Sequence, residues 1–264
     1  MLKIDSFNNF ITTSPSDQNI IDLFQGDWSS AFPNILGSNA LPCLALPGHA
    51  PLFTDPRIFW ARDELGPFNG LDLMELGPLE GAHTYMLDQF GANSITSIEA
   101  NARAFLKCLC IKEIFGLKRV KFMLGDFNSY VDTCDKVDVI FASGVLYHMA
   151  DPLLLLERMC KKSDRIFIWT HYYDDKVISR REDASLFSPL ESTDGVYLWS
   201  RRLYPQQALS WSGFSGGPEL FSIWLQRDSI IKFINDRGFS VKINFEQVDH
   251  VNGPAFAICA QRQF

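Results

Sequence analysis

Residues Leu71–Ala100 read LDLMELGPLEGAHTYMLDQFGANSITSIEA, and the order of elements in this stretch decides the fold. LDLMEL is a short apolar run of strand length. GPLEGAHTYMLDQF follows as a turn and a helix that stops at Gly91, a residue suited to a helix C-terminus. SITSIEA reads as a second strand. Strands joined through a helix run parallel, because a tight hairpin is excluded. The alternation continues downstream. NARAFLKCLCIKEIF is a helix opened by Asn101 and closed at Gly116, and VKFML and VDVIFASG are the third and fourth strands. In DPLLLLERMCKK, Asp151 caps a helix with Pro152 in its first position and basic residues at its negative end. RIFIWTHY is the fifth strand. These strands are continuous apolar runs, which predicts an α/β sheet covered by helices on both faces.

On either side of this core the pattern changes. Residues 1–67 hold seven of the thirteen prolines and show no sustained periodicity. LPCLALPGHAPLF cannot be a long helix, since Pro42, Pro47 and Pro51 each remove a donor. This zone is read as a cap of short helices, with Trp28, Phe32, Phe53, Phe59 and Trp60 as its docking surface. Residues 173–226 interrupt the alternation with Tyr197, Trp199, Tyr204, Trp211, Phe214 and the run Gly216-Gly217-Pro218. Such a long insertion predicts a lid or substrate wall. QRDSIIKFINDR then reads as a helix ended by Gly238, and FSVKINFEQ and PAFAICAQR as two strands turning around Asn252-Gly253. The expected organisation is a cap segment over 1–67 and an α/β domain over 68–264 that carries the insertion.

The chain has 264 residues, 47% of them hydrophobic and 21% charged, which provides a core and excludes a disordered chain. No apolar run approaches the roughly 18 residues that span a bilayer. MLKIDSFNNF lacks a basic region followed by an apolar core, which argues against a secretory signal. The net charge of −7 disfavours nucleic acid and anionic membrane surfaces as partners. Cys108 and Cys110 are one residue apart on a helix and point in different directions, while Cys43, Cys134, Cys160 and Cys259 sit among apolar neighbours. Buried reduced thiols and a cytoplasmic location are expected. Zinc-ligand spacing is absent, and no metal is expected.

In a parallel sheet ligands bind beyond the carboxyl ends of the strands, so those ends hold the candidate residues. After the first strand comes Glu75-Leu-Gly77-Pro78-Leu79-Glu80-Gly81. A dinucleotide fingerprint needs glycine where Leu79 stands, which argues against a pyrophosphate ligand. Glu99 ends the second strand 22 residues beyond Gly77, the place of a carboxylate that accepts from ribose hydroxyls. Asp126 follows the third strand, where it is positioned to accept from an adenine amino group, with Phe127 packing on the ring. After the fourth strand, Ser143-Gly144 leads to the titratable pair Tyr147-His148.

Taken together, ELGPLEG, SIEAN, GDF and GVLYHMADP resemble, in order and spacing, the class I S-adenosylmethionine-dependent methyltransferases. The likeness covers residues 68–172. It implies a Rossmann-like, doubly wound, seven-stranded sheet, mostly parallel with an antiparallel last strand, and S-adenosylmethionine as cofactor. By the same resemblance Glu75, Gly77 and Gly81 underlie the methionine moiety, Glu99 binds the ribose, and Asp126 with Phe127 holds the adenine. Ser143, Gly144 and Tyr147 line the sulfonium side. GVLYH, with His83 in GAHTYM, is similar to a subgroup that includes the enzyme forming the carboxymethoxy group on transfer RNA wobble uridine. Pro78 and Glu75 depart from the commoner Gly or Cys and Asp of the family, which stiffens the loop and lengthens its acidic side chain.

The expected function is methyl transfer to a small-molecule acceptor. The alternatives are a tRNA-modifying methyl or carboxymethyl transferase, for which only short clusters such as Lys118-Arg119-Val120-Lys121 and Arg180-Arg181 speak, and a non-catalytic adenosyl-ligand-binding protein. His148 is the first candidate for a general base and His171 the second, with Tyr147 beside them. In HYYDD, His171, Asp174 and Asp175 offer hard ligands, but sequence neighbours rarely converge on one ion without help. Arg201 and Arg202 are read as a solvated surface pair, with an anionic substrate or a carboxylated cofactor as the other role.

Overall fold

The computed structural model describes residues 10–33, 48–210 and 217–263. Pro42, Cys43, Pro47, Trp211, Phe214 and Gly216 lie outside the described residues, as do residues 1–9 of the stretch read for a signal. In chain order the elements are α1 (Asp17–Asp22), α2 (Pro56–Leu65), β1 (Asp72–Leu76), α3 (Ala82–Gln89), β2 (Ser94–Glu99), α4 (Ala102–Phe115), β3 (Val120–Leu124), α5 (Phe127–Thr133), β4 (Val139–Ser143), α6 (Pro152–Lys162), β5 (Arg165–His171) and α7 (Asp175–Ile178). They continue with β6 (Glu191–Thr193), β7 (Tyr197–Leu203), β8 (Phe221–Leu225), α8 (Arg227–Asn235), β9 (Phe239–Gln247) and β10 (Ala255–Arg262).

Seven strands form one sheet in the order β3-β2-β1-β4-β5-β10-β9. Its first five strands pair in parallel, and β10 runs antiparallel to both β5 and β9. This is the Rossmann-like sheet with an antiparallel last strand. The strand order reverses between β1 and β4, which opens a crevice at their carboxyl ends. Alternation along each strand sends Leu73, Phe141 and Phe167 to one face, against Ile58 of α2, Leu87 of α3 and Ile111 of α4. Met74, Ile140 and Ile168 go to the other, against Val131 of α5, Leu155 of α6 and Ile234 of α8.

Two elements differ from the sequence reading. Helix α5 is short and begins at Phe127 because the Asp126 carboxylate accepts from the N–H groups of Asn128 and Ser129. The insertion is more ordered than a loop, since β6, β7 and β8 form an antiparallel sheet of their own. Among the thiols, Cys108, Cys160 and Cys259 are buried as expected, whereas Cys110 and Cys134 are half-buried; all five are free. Among the described residues, no helix is long and apolar enough to cross a membrane.

The cap is tied to the strand-end loop by buried charge. Glu80, 1% exposed, accepts the backbone N–H of Ser29 at 2.8 Å and of Ser30 at 2.9 Å. Lys107 of α4 reaches the same carboxylate at 3.0 Å and also donates to the Asp27 carbonyl. Deleting one partner of such a pair leaves buried polar groups unsatisfied. Glu80→Ala is therefore expected to cost about 3 kcal/mol in urea unfolding, with Glu80→Gln milder because its amide oxygen still accepts. A loss below about 1 kcal/mol would mean that apolar packing alone docks the cap.

Candidate active site

The first wall of the crevice is the loop after β1. Gly77 (φ 64°) and Gly81 (φ 79°) both adopt left-handed backbone. A Cβ on Gly77 would lie 3.0 Å from the Val145 side chain, so the strand ends approach closely only with glycine there. Leu79, at the fingerprint's glycine position, keeps the left-handed conformation (φ 56°) despite its side chain, a strain of the kind concentrated at functional loops. Its N–H is held by Glu99 at 3.1 Å.

Glu99 is 8% exposed, and its other oxygen accepts from Asn101 N at 2.8 Å. Burial pushes its carboxyl above the ordinary value, against the pull of the N–H groups of Asn101, Leu79 and Ala100. Glu75 lies beneath the loop and accepts from Thr84 and, at 3.0 Å, from Ser97. Burial raises its carboxyl too, partly countered by His83 and the two hydroxyls. His83 donates through Nε2 to the Asp55 carboxylate, 2.9 Å away, so its ring faces the cap. Asp126 is committed to α5: Oδ1 takes both nitrogens of Asn128 and Oδ2 takes Ser129 N and Oγ. These four donors occupy the carboxylate that the sequence reading aims at adenine. Phe127 is buried in the core beside it.

The second wall rises from β4 and β5. Ser143 ends β4, and Gly144 (φ 79°) donates to the Trp169 carbonyl at 2.8 Å. Tyr147 and His148 occupy a single 3-10 turn, Leu146–His148. Burial lifts the Tyr147 hydroxyl to about 12, which keeps it a donor. Burial, reinforced by His171 and Arg202, pulls His148 down to about 3. His171 is also drawn down by burial, to about 4, although carbonyl contacts resist the shift. Its Nδ1 lies 2.8 Å from the Gly253 carbonyl, which can only accept. Nδ1 therefore carries the proton, and Nε2 keeps a lone pair.

Aromatic side chains complete this wall. His171 stacks on Trp224 with ring centroids 5.3 Å apart and an interplanar angle of 8°. Tyr147 meets His171 edge-on at 4.6 Å, and Trp169 lies 5.1 Å from His171. The cap adds Arg57, whose guanidinium lies 4.4 Å over Trp169 and is paired with Asp55. Burial would raise the Asp55 carboxyl, but His83 and Arg57 hold it well below the usual range. The insertion adds Trp224, and Ile223 N bonds the Met149 carbonyl at 2.8 Å, seating β8 on the turn that holds His148.

The structure brings together Tyr147, His148 and His171, and separately Glu75, Gly77, Gly81 and Glu99. Arg201 is exposed, but Arg202 is no solvated partner of it: its guanidinium packs over Phe187, Tyr204 and Trp224. Asp174 caps α7 and Asp175 accepts from Tyr173, and among the described residues no group of His, Cys, Asp and Glu is placed to hold a metal ion. Trp169, Trp224, Arg57 and Asp55 escaped the sequence reading. Trp169 was accessible in principle, two residues before His171 and so on the same strand face. The groove lined by Asp72, Asp138, Arg165 and Arg262 lies at the amino ends of β1, β4 and β5, opposite this crevice.

Residues 68–195 match the family model described as a methyltransferase domain. The N-terminal domain of EvdMO1, solved in the presence of S-adenosylhomocysteine (SAH) and D-fucose, is similar over 94% of this chain and 95% of that one, at 21% identity and a TM-score of 0.65. Magnesium protoporphyrin IX methyltransferase from Synechocystis PCC 6803, with bound SAH, is similar over 79% of this chain and 81% of that one, at 15% identity and a TM-score of 0.55. No curated protein matches the chain in sequence. Residues 68–195 are thus similar to a methyltransferase domain, and the chain shares the fold of these two SAH-bound structures.

The neutral histidines carry a pH signature. In the unfolded chain an imidazole titrates near 6.5, whereas folded His171 holds off its proton to about pH 4. Between these values the unfolded state binds more protons, so this group lowers stability as pH falls from about 7 to 4. His171→Asn, whose amide can still donate to the Gly253 carbonyl, is expected to remove a loss on the order of 3 kcal/mol across that window. Urea midpoints of both proteins at pH 7, 6, 5 and 4 test it, and parallel curves would refute a neutral buried His171.

Proposed function

We propose that this chain transfers the methyl group of S-adenosylmethionine to a small-molecule acceptor held against the rings of Tyr147, His171 and Trp224. The observation that carries the reading is the enclosure of those rings. Arg57 of the cap closes over Trp169 from one side, and the inserted sheet packs Trp224 on His171 from the other. Sites of this kind, apolar with a few polar groups, suit small ligands. The EvdMO1 domain solved in the presence of D-fucose supports an acceptor of that size.

The residues fit the cofactor. The glycine backbone at 77 and 144 leaves the crevice open between β1 and β4, and the Glu99 carboxylate stands at the end of β2 with lone pairs left for ribose hydroxyls. Gly77 and Gly81, braced from below by Glu75, take the methionine end. Asp126 fixes the start of α5 and with Phe127 bounds the adenine end. Ser143, Gly144 and Tyr147 face the sulfur, while His83 steadies α3 from the cap. When bound, S-adenosylmethionine supplies an activated methyl group on a positively charged sulfur. The protein's task is alignment of the acceptor with that methyl, which can contribute about 7–11 kcal/mol. His171 Nε2 takes the acceptor's proton where one must leave. His148 stays neutral behind it and positions the turn that carries Tyr147.

A transfer RNA acceptor, as for the wobble-uridine enzyme of the GVLYH subgroup, is disfavoured by the placement of charge. Lys118, Arg119 and Lys121 lie at the amino-terminal end of β3, away from the crevice, and Arg181 is taken up by Asp183. Calorimetry with S-adenosylmethionine tests the cofactor role: Glu99→Ala is expected to weaken binding at least tenfold. With an acceptor in hand, His171→Asn should lower kcat on the order of 100-fold while leaving cofactor affinity unchanged. Absence of cofactor binding by the intact protein would refute the proposal, and binding without product from any acceptor would favour a ligand sensor.

A further inference from the structure

Resting on that reading, we propose that the acceptor carries a carboxylate and that Arg202 and Trp224 of the inserted sheet bind it. Strands β7 and β8 pair antiparallel, with Arg202 opposite Ser222 and Ser200 opposite Trp224. Alternation therefore places Ser200, Arg202, Tyr204, Ser222 and Trp224 on one face of this small sheet. The opposite face turns Trp199 and Leu225 into the main core. The first face meets Tyr147 and His171 through Trp224.

Two donors on that face lack an acceptor among the described residues. Trp224 is 1% exposed, and its Nε1–H is buried without a hydrogen-bond partner. The Arg202 Nε–H is likewise buried and unpaired, on a guanidinium 5.3 Å from the Trp224 ring. Buried N–H groups are almost always paired, and tryptophan in a core usually finds a partner for its N–H. Two orphans on adjacent side chains mark the place of an acceptor atom that arrives with a ligand.

Charge points the same way. Asp183 serves two guanidiniums, Arg181 at 2.8 Å and Arg202 at 3.4 Å, so Arg202 has only the longer share of this carboxylate. On the cap side Arg57 is matched by Asp55. A guanidinium that shares its carboxylate with a second arginine, beside a tryptophan N–H and between flat rings, suits a planar carboxylate, which a guanidinium edge binds with two parallel hydrogen bonds. An acceptor anchored there lies beside the His171 ring that stacks on Trp224.

The test uses the full-length protein saturated with SAH, titrated with benzoate, its neutral isostere benzamide, and phenyl phosphate. Benzoate is expected to bind at least tenfold more tightly than either. Arg202→Gln should erase that preference, Arg202→Lys should retain part of it, and both should keep SAH affinity within twofold, which verifies the fold. Trp224→Phe should weaken benzoate severalfold. With SAH affinity intact, equal binding of benzoate and benzamide, a preference that survives Arg202→Gln, or tighter phenyl phosphate would overturn this assignment alone. Failure of the intact protein to bind SAH would overturn the methyltransferase reading and this assignment with it.

Discussion

The Glu80 carboxylate holds this molecule in working order. It sits in the loop between β1 and α3, takes two backbone N–H groups from the cap, and is neutralised by Lys107 of α4. One buried group thus fastens both the cap and α4 to a loop that also forms the floor of the crevice. A carboxylate so deeply buried is tolerable only because every contact is a charge-assisted hydrogen bond. The same economy recurs at Asp55, which caps α2, pairs with Arg57 and reaches His83 on α3. Cap and glycine loop are therefore one polar unit, and the left-handed Leu79 between them is held through Glu99.

Across the crevice, burial keeps the titratable groups neutral. Burial keeps Tyr147 protonated and both His148 and His171 unprotonated. The tautomer of His171 is set by carbonyls at Gly253 and Pro254, in the turn before β10. The antiparallel last strand, which looks like a mere completion of the sheet, thereby decides which nitrogen carries the proton. The rings around it come from the turn after β4, from β5 and from the insertion, so the inserted sheet completes this wall.

Much of the fold was legible in the sequence because its signals are local. Apolar runs, Asn101, Asp151-Pro152 and the terminal glycines act on neighbours within a few residues, and each marks the element it begins or ends. Spacing also carried Glu99 to the end of β2. Helix α5 was missed because seven residues give too little periodicity, although Asp126 held a capping signal. The same capping commits Asp126 to the start of α5, since a side chain's local obligations are invisible until its backbone is placed.

What the sequence by itself determined was the alternation of strands and helices, hence the parallel sheet and the position of its ligand-bearing edge. What only the tertiary structure decided was which distant residues meet there. The bonds from Glu80 to Ser29 and Ser30 span about fifty positions, and Arg202 reaches Trp224 through the register of two inserted strands. Contacts of that kind follow from how whole elements pack and from which buried donors must find acceptors. Neither is encoded in any short stretch of the chain.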